Sequence, residues 1–282
     1  VLPQLTDLRK SLDILLLVDN EKQITFLEEA QSEKPWNIFI KLDVGARRAG
    51  VDPGSPALRS LVSRAEASSA VNVYGFYCHA NHSYGGKTRA EAESMLNHEV
   101  ESLVGAAQLV PHRKLVLSLG ATPTAHVVKS LQAKIPDNAV LELHAGNYPC
   151  NDLQQVSTGV VDEADQAGRV IADVCSVYPE RNEALVNAGV TALSRETSPA
   201  YPGFGRVIGN PGWGVVRMSQ EHGIIGQVVE GGKEGAEKTF EFGQRLHLYC
   251  NHICITAAAF HVYFMVDEDD IVRETWVPWK GW

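Results

Sequence analysis

A chain of 282 residues can hold one large or two medium domains, and its 44% hydrophobic and 21% charged content is that of a globular protein. A formal net charge of −9 argues against nucleic acid as a partner, because phosphate backbones select basic surfaces. No apolar run approaches the roughly 20 residues that span a bilayer, so no membrane partner is expected. Five irregularly spaced cysteines suit reduced thiols better than a disulfide framework. The opening residues carry no basic leader followed by an apolar stretch, so a cytoplasmic location is expected.

From the start, short apolar runs alternate with amphipathic ones. Strands are predicted at Asp13–Val18, Ile38–Val44, Val71–Cys78, Lys114–Leu119 and Val140–Leu143. Between them, Glu21–Ala30 sets Ile24 and Leu27 on one helical face, and Ala57–Ala67 does so with Leu58, Leu61, Val62 and Ala65. Arg89–Val110 carries the longest stripe, with Ala92, Met95, Leu96, Val100, Leu103 and Val104. Strands that are apolar on both faces and alternate with helices predict a parallel sheet. After about Gln166 the rhythm changes. Arg169–Val177, Val215–Met218, Thr239–Leu248 and Val262–Val266 read as strands, separated by Gly- and Pro-rich turns. The expected architecture is α/β over residues 1–165 and mostly β over 166–282.

Five strand–helix units fit either an open doubly wound sheet or part of an eight-stranded barrel. The first strand is followed by Asp19-Asn20-Glu21, with no glycine and with acidic charge where a dinucleotide phosphate would sit, which disfavours the first reading. In barrels, chemistry gathers at the C-terminal strand ends. The second strand ends with Lys41, Asp43, Arg47 and Arg48, which can be a structural ion pair or a site. The third ends Tyr77-Cys78-His79-Ala80-Asn81-His82-Ser83-Tyr84, a dense polar cluster. The fourth and fifth exits, Gly120-Ala121-Thr122-Pro123-Thr124 and His144-Ala145-Gly146-Asn147-Tyr148, offer small residues whose N–H groups could face a phosphate. An N-capped helix with Thr122 or Thr124 as the cap explains the fourth exit equally well. Later, His252 and Cys254 stand two apart in a run that reads as a strand, so imidazole and thiol would share a face and form half of a zinc site.

In this order, several segments resemble the D-serine dehydratase-like family of alanine-racemase-type pyridoxal-phosphate enzymes. They are Lys41-Leu42-Asp43-x-Gly45-x-x-Arg48-x-Gly50, His82-Ser83-Tyr84, Gly120-x-Thr122-Pro123-Thr124, Gly146-Asn147-Tyr148, Glu221-His222-Gly223, Asn251-His252-x-Cys254-x-Thr256, and Trp276 with Lys280-Gly281-Trp282. The resemblance implies a partial TIM (β/α)8 barrel followed by a mostly β domain. It also implies pyridoxal 5′-phosphate and Zn2+ as cofactors, a small D-amino acid substrate, and a homodimer. Tyr84 would lie near the pyridine nitrogen, Thr122, Gly146 and Asn147 would hold the phosphate, and His252 and Cys254 would bind the zinc. The implied reaction eliminates the β-hydroxyl of D-serine to give pyruvate and ammonia.

Related D-threonine aldolases carry Asp where Cys254 stands, and a thiolate favours zinc over harder ions. An aldolase, a racemase and a non-catalytic relative are the alternatives. The family's Schiff-base lysine belongs to a first barrel strand upstream of this sequence, and Lys41 lies in a different strand. On that expectation the 282-residue chain alone is inactive and its open sheet edges invite pairing. His144-Ala145 and Pro149-Cys150 depart from the family's usual phosphate loop, and Pro149 lacks a backbone donor.

Overall fold

The computed structural model describes residues 2–132, 134–229, 232 and 234–280, so Gly281 and Trp282 lie outside the described residues. It divides into two compact units, Val1–Gly146 and Asn147–Trp282. The sequence reading placed the boundary after residue 165, where helical periodicity ends.

The first unit runs α1 (Leu2–Leu8), β1 (Leu15–Val18), α2 (Glu21–Glu29), β2 (Trp36–Leu42), α3 (Pro56–Ala67), β3 (Val71–Cys78), α4 (Arg89–Ala107), β4 (Leu115–Leu119), α5 (Thr122–His126) and β5 (Ala139–Leu143). All five strands are parallel and lie in chain order, β1-β2-β3-β4-β5. A doubly wound sheet reverses direction at a switch point, whereas successive crossovers here step one way, as in a barrel wall. The helices begin where the sequence supplies caps. Asn20 with Gln23, and Thr88 with Glu91, form capping boxes, and Ser55 caps α3 ahead of Pro56. Ile24 and Leu27 of α2, and Leu58, Leu61, Val62 and Ala65 of α3, are buried as their spacing predicts. On α4 the buried stripe contains Ala92, Leu96, Val100 and Leu103, and it also contains Glu99. Strands β1 and β5 stand at the two ends of this order, with Leu17 47% and Val140 65% exposed.

The second unit runs α6 (Leu153–Ser157), β6 (Val170–Tyr178), β7 (Glu183–Val186), α7 (Val190–Leu193), β8 (Gly205–Val207), β9 (Trp213–Met218), β10 (Gly223–Gln227), α8 (Ala236–Thr239), β11 (Arg245–Cys250), α9 (Ile253–Ala259), β12 (Tyr263–Val266) and β13 (Val272–Trp276). Strands β6 to β11 close an antiparallel barrel in the order β10-β7-β6-β11-β8-β9. Closure leaves no free edge in that sheet. Inward residues such as Val170, Ala172, Val174, Val186, Val215 and Leu248 fill it, and Trp213 meets Phe240 edge-on at 5.0 Å. β12 and β13 form a separate antiparallel hairpin. Among the described residues, no helix is long and apolar enough to cross a membrane.

Candidate active site

In the first unit, the C-terminal ends of β2 to β5 bring together side chains that the sequence spreads over a hundred residues. Lys41, near the end of β2, sets Nζ 4.5 Å from the centroid of the Tyr77 ring on β3. Tyr77 stacks on His144, just past β5, with centroids 4.6 Å apart and planes 8° from parallel. His79, just past β3, lies 5.8 Å from His144, centroid to centroid.

Of the two readings open for the end of β2, an ion pair between Lys41 and Asp43 does not form among the described residues. Asp43 turns to its own loop, and Oδ1 accepts the N–H groups of Gly45 and Arg47 at 3.0 Å each. Lys41 has no ion-pair partner among the described residues. Burial and then the nearby Arg48 push its pKa down, outweighing Asp19 and Asp43. Burial also lowers the pKa values of His79 and His144, which favours the neutral imidazole in each. His79 Nδ1 donates to Gly120 O at 2.7 Å and His144 Nε2 to Cys78 O at 3.0 Å, which leaves the other ring nitrogen of each as the acceptor.

The turn after β4 is sterically fixed. Gly120 has φ +137°, and a Cβ there would stand 2.3 Å from His144 O. Neither of the expected caps opens α5. Ala121 holds the N-cap position, and Thr124 reaches back from N3, its Oγ1 accepting Ala121 N–H at 3.0 Å. Thr122 is fully buried at the first position of the helix. Gly146 ends the unit in the open, where a Cβ would meet nothing within 4 Å. Tyr84 is half-buried in a 3-10 turn, Asn81–Gly85, that also carries His82, whose ring would lie 3.4 Å from a Cβ on Gly45.

The second unit corrects one expectation. β11 ends at Cys250, so His252 and Cys254 do not share a strand face. His252 is the N-cap residue of α9 and Cys254 lies in its first turn. The reason is a distant side chain. Asp152, 1% exposed, accepts the N–H of Ile253 at 2.9 Å through Oδ2 and thereby stabilises the start of that helix. The same carboxylate accepts Gln155 N–H at 3.0 Å, capping α6, and the amide of Asn147, which is 3% exposed. Asn147 and the His252–Cys254 segment therefore hang on one buried carboxylate.

His252 Nδ1 lies 3.6 Å from a carboxylate oxygen of Glu196. Partial desolvation, with Asp152 and Cys150 nearby, pushes the Cys254 thiol pKa up. A cation is then needed to hold it as thiolate. The donor types suit zinc, although among the described residues no cluster of three His, Cys, Asp or Glu converges on a metal position. His222, in the Glu221-His222-Gly223 segment, lies at the solvent-facing β9–β10 turn.

Two buried carboxyls, Asp152 and Glu99, escaped the sequence reading. Glu99 was legible as an acid at helical spacing within the apolar α4 stripe, whereas only the cap position before α6 hinted at Asp152.

Residues 2–134 match the alanine racemase N-terminal domain family, and residues 167–266 match the "Putative serine dehydratase domain" family. Over its whole length the chain is 43% identical to the D-serine dehydratase of Schizosaccharomyces pombe, covering 71% of that protein. It is 35% identical to the D-serine dehydratase of Saccharomyces cerevisiae, covering 72% of it. The solved D-threo-3-hydroxyaspartate dehydratase from Delftia sp. HT23 superposes with a TM-score of 0.85 at 30% identity, over all of this chain and 76% of that one. That enzyme has also been solved as a cysteine-to-alanine variant in a metal-free form, with a TM-score of 0.80 at 28% identity, over all of this chain and 76% of that one. An alanine-racemase-type parallel sheet and a serine-dehydratase-type β unit, at such identity along the whole chain, make this an enzyme that belongs to the D-serine dehydratase family.

Proposed function

We propose that this enzyme dehydrates D-serine to pyruvate and ammonia with pyridoxal 5′-phosphate and zinc as cofactors. The observation that carries the reading is the strand-end row of the first unit: a desolvated Lys41 in no ion pair among the described residues, Arg48 nearby, and the stacked Tyr77 and His144 beside His79. Aromatic surface next to the cationic side chains of Lys41 and Arg48 suits a planar anionic ligand. Kinship with D-serine dehydratases supports the substrate, and a relative solved in a metal-free form supports a metal.

When bound, pyridoxal phosphate accepts the electrons released as the substrate Cα proton leaves, and zinc acts as a Lewis acid on the β-hydroxyl. In this reading Thr122, Gly146 and Asn147 hold the phosphate, and Tyr84 lies by the ring nitrogen. Gly146 has no side chain to intrude on a phosphate, and the buried Asn147 is oriented by Asp152. His252 and Cys254 hold the zinc, presented from a helix start that Asp152 fixes. His79, donating from Nδ1 to Gly120, offers Nε2 as a proton acceptor.

Product analysis on the protein isolated from its natural source tests the reading. Equal amounts of pyruvate and ammonia from D-serine are expected. Glycine and acetaldehyde from D-threonine, or L-serine from D-serine, would replace dehydration with aldol cleavage or racemisation.

A further inference from the structure

Glu99 is 0% exposed, on the face of α4 that packs under the sheet among Leu96, Val100 and Leu103. No lysine, arginine or histidine pairs with it among the described residues. Its Oε1 accepts the N–H of Gly120, at the exit of β4, at 3.2 Å. It also accepts the thiol of Cys78, the last residue of β3, with Sγ 3.7 Å away. Burial raises its pKa to about 7, while the Thr124 hydroxyl and the N–H groups of Gly120 and Ala80 resist the rise.

A leucine at this point of the stripe would pack without that desolvation cost, since isolated buried acids destabilise folds more often than they help. What the carboxyl does instead is tie two strand exits together. The β3 exit carries His79, His82 and Tyr84, and the β4 exit carries Thr122. Between them, the Gly120 residue is gripped from both sides. Its N–H is held by Glu99 and its C=O by His79 Nδ1 at 2.7 Å. The next N–H, that of Ala121, is held by Thr124. The direction in which the chain enters Thr122 is thus set by groups anchored to Glu99 and to β3.

We propose that Glu99 is a positioning residue that fixes the Gly120–Thr122 turn in the orientation that receives the cofactor phosphate. This inference rests on the reading of Thr122 as a phosphate-holding residue. Its test uses pyridoxamine 5′-phosphate and pyridoxamine, which need no lysine for binding, titrated by ligand fluorescence against the full 282-residue chain.

Wild type is expected to prefer the phosphorylated ligand. Glu99→Ala should weaken binding of pyridoxamine 5′-phosphate about tenfold while leaving pyridoxamine within about twofold, because a misaligned donor set penalises only the phosphate. Glu99→Gln keeps an acceptor oxygen for Gly120 N–H, so it should recover to within about threefold of wild type. Should Glu99→Ala fail to fold, Glu99→Leu, which fills the apolar stripe without an acceptor, takes its place and should show the same loss of about tenfold for the phosphorylated ligand alone. An unchanged phosphate preference in folded Glu99→Ala or Glu99→Leu, or a parallel loss for both ligands, would overturn the positioning role alone. A wild-type chain that binds both ligands equally would overturn the phosphate reading of Thr122, and the proposal with it.

Discussion

Replacing Asp152 by alanine removes the acceptor for three donors at once: the N–H groups of Gln155 and Ile253 and the amide of Asn147. Losing a side-chain N-cap costs about 1 kcal/mol. Each buried donor left without a partner costs about 1–3 kcal/mol, and Asp152 and Asn147 are at least 97% buried. The sum is about 4 kcal/mol, a large part of the roughly 5–15 kcal/mol that holds a domain together. With a urea slope of about 2–3 kcal/mol per molar, the unfolding midpoint should fall by about 1.5 M. The fluorescence of Trp213, buried in the barrel, reports the transition. The Cys254 thiol should also react faster with a disulfide reagent, because the first turn of α9 loses its anchor. Asp152→Asn, which retains one acceptor oxygen, should fall between. A midpoint within about 0.3 M of wild type for Asp152→Ala would refute the claim that this carboxylate holds the α6 and α9 starts, since it would correspond to under about 1 kcal/mol.

Three further outcomes follow from the same structure. Glu99, with its folded pKa raised to about 7 from 4.5, binds its proton more tightly in the native state than when unfolded, so its contribution is fully present below pH 4.5 and lost as pH rises through 7. Chemical denaturation should show about 3 kcal/mol of stability disappearing over that window, and Glu99→Gln should remove that part of the slope. Gly120→Ala places a Cβ 2.3 Å from His144 O at φ +137°, so a loss of more than about 2 kcal/mol is expected in thermal or urea melts. Cys254→Asp should lose zinc, measured by elemental analysis, together with dehydratase rate; unchanged zinc content would show that the thiol is not a ligand.

Much of the first unit was legible because its signals are local. Runs such as Ile38–Val44 and Val71–Cys78 are long and apolar, and the spacing of Ile24 with Leu27, and of Leu58, Leu61, Val62 and Ala65, marks the buried faces of α2 and α3. The second unit was legible only as β-rich. β7 and β8 are four and three residues long, too short for alternation to register, and the order in which six strands close depends on pairings across the whole unit. The His252–Cys254 segment failed for the same reason. Cys250 to Thr256 reads locally as a strand, and the group that ends it is Asp152, 101 residues from the N–H it accepts. The candidate site residues came from ordered motifs. The buried carboxyls near them came only from the structure, because a buried acid is defined by its distant donors.

The central claim, dehydration of D-serine that requires both cofactors, is tested most directly by following pyruvate release in the protein from its natural source before chelation, after chelation, and after zinc is restored. The account predicts pyruvate matched by ammonia, loss of turnover when zinc is removed with pyridoxal phosphate retained, and recovery when zinc is returned. Undiminished pyruvate release from protein verified to be free of metal would contradict it.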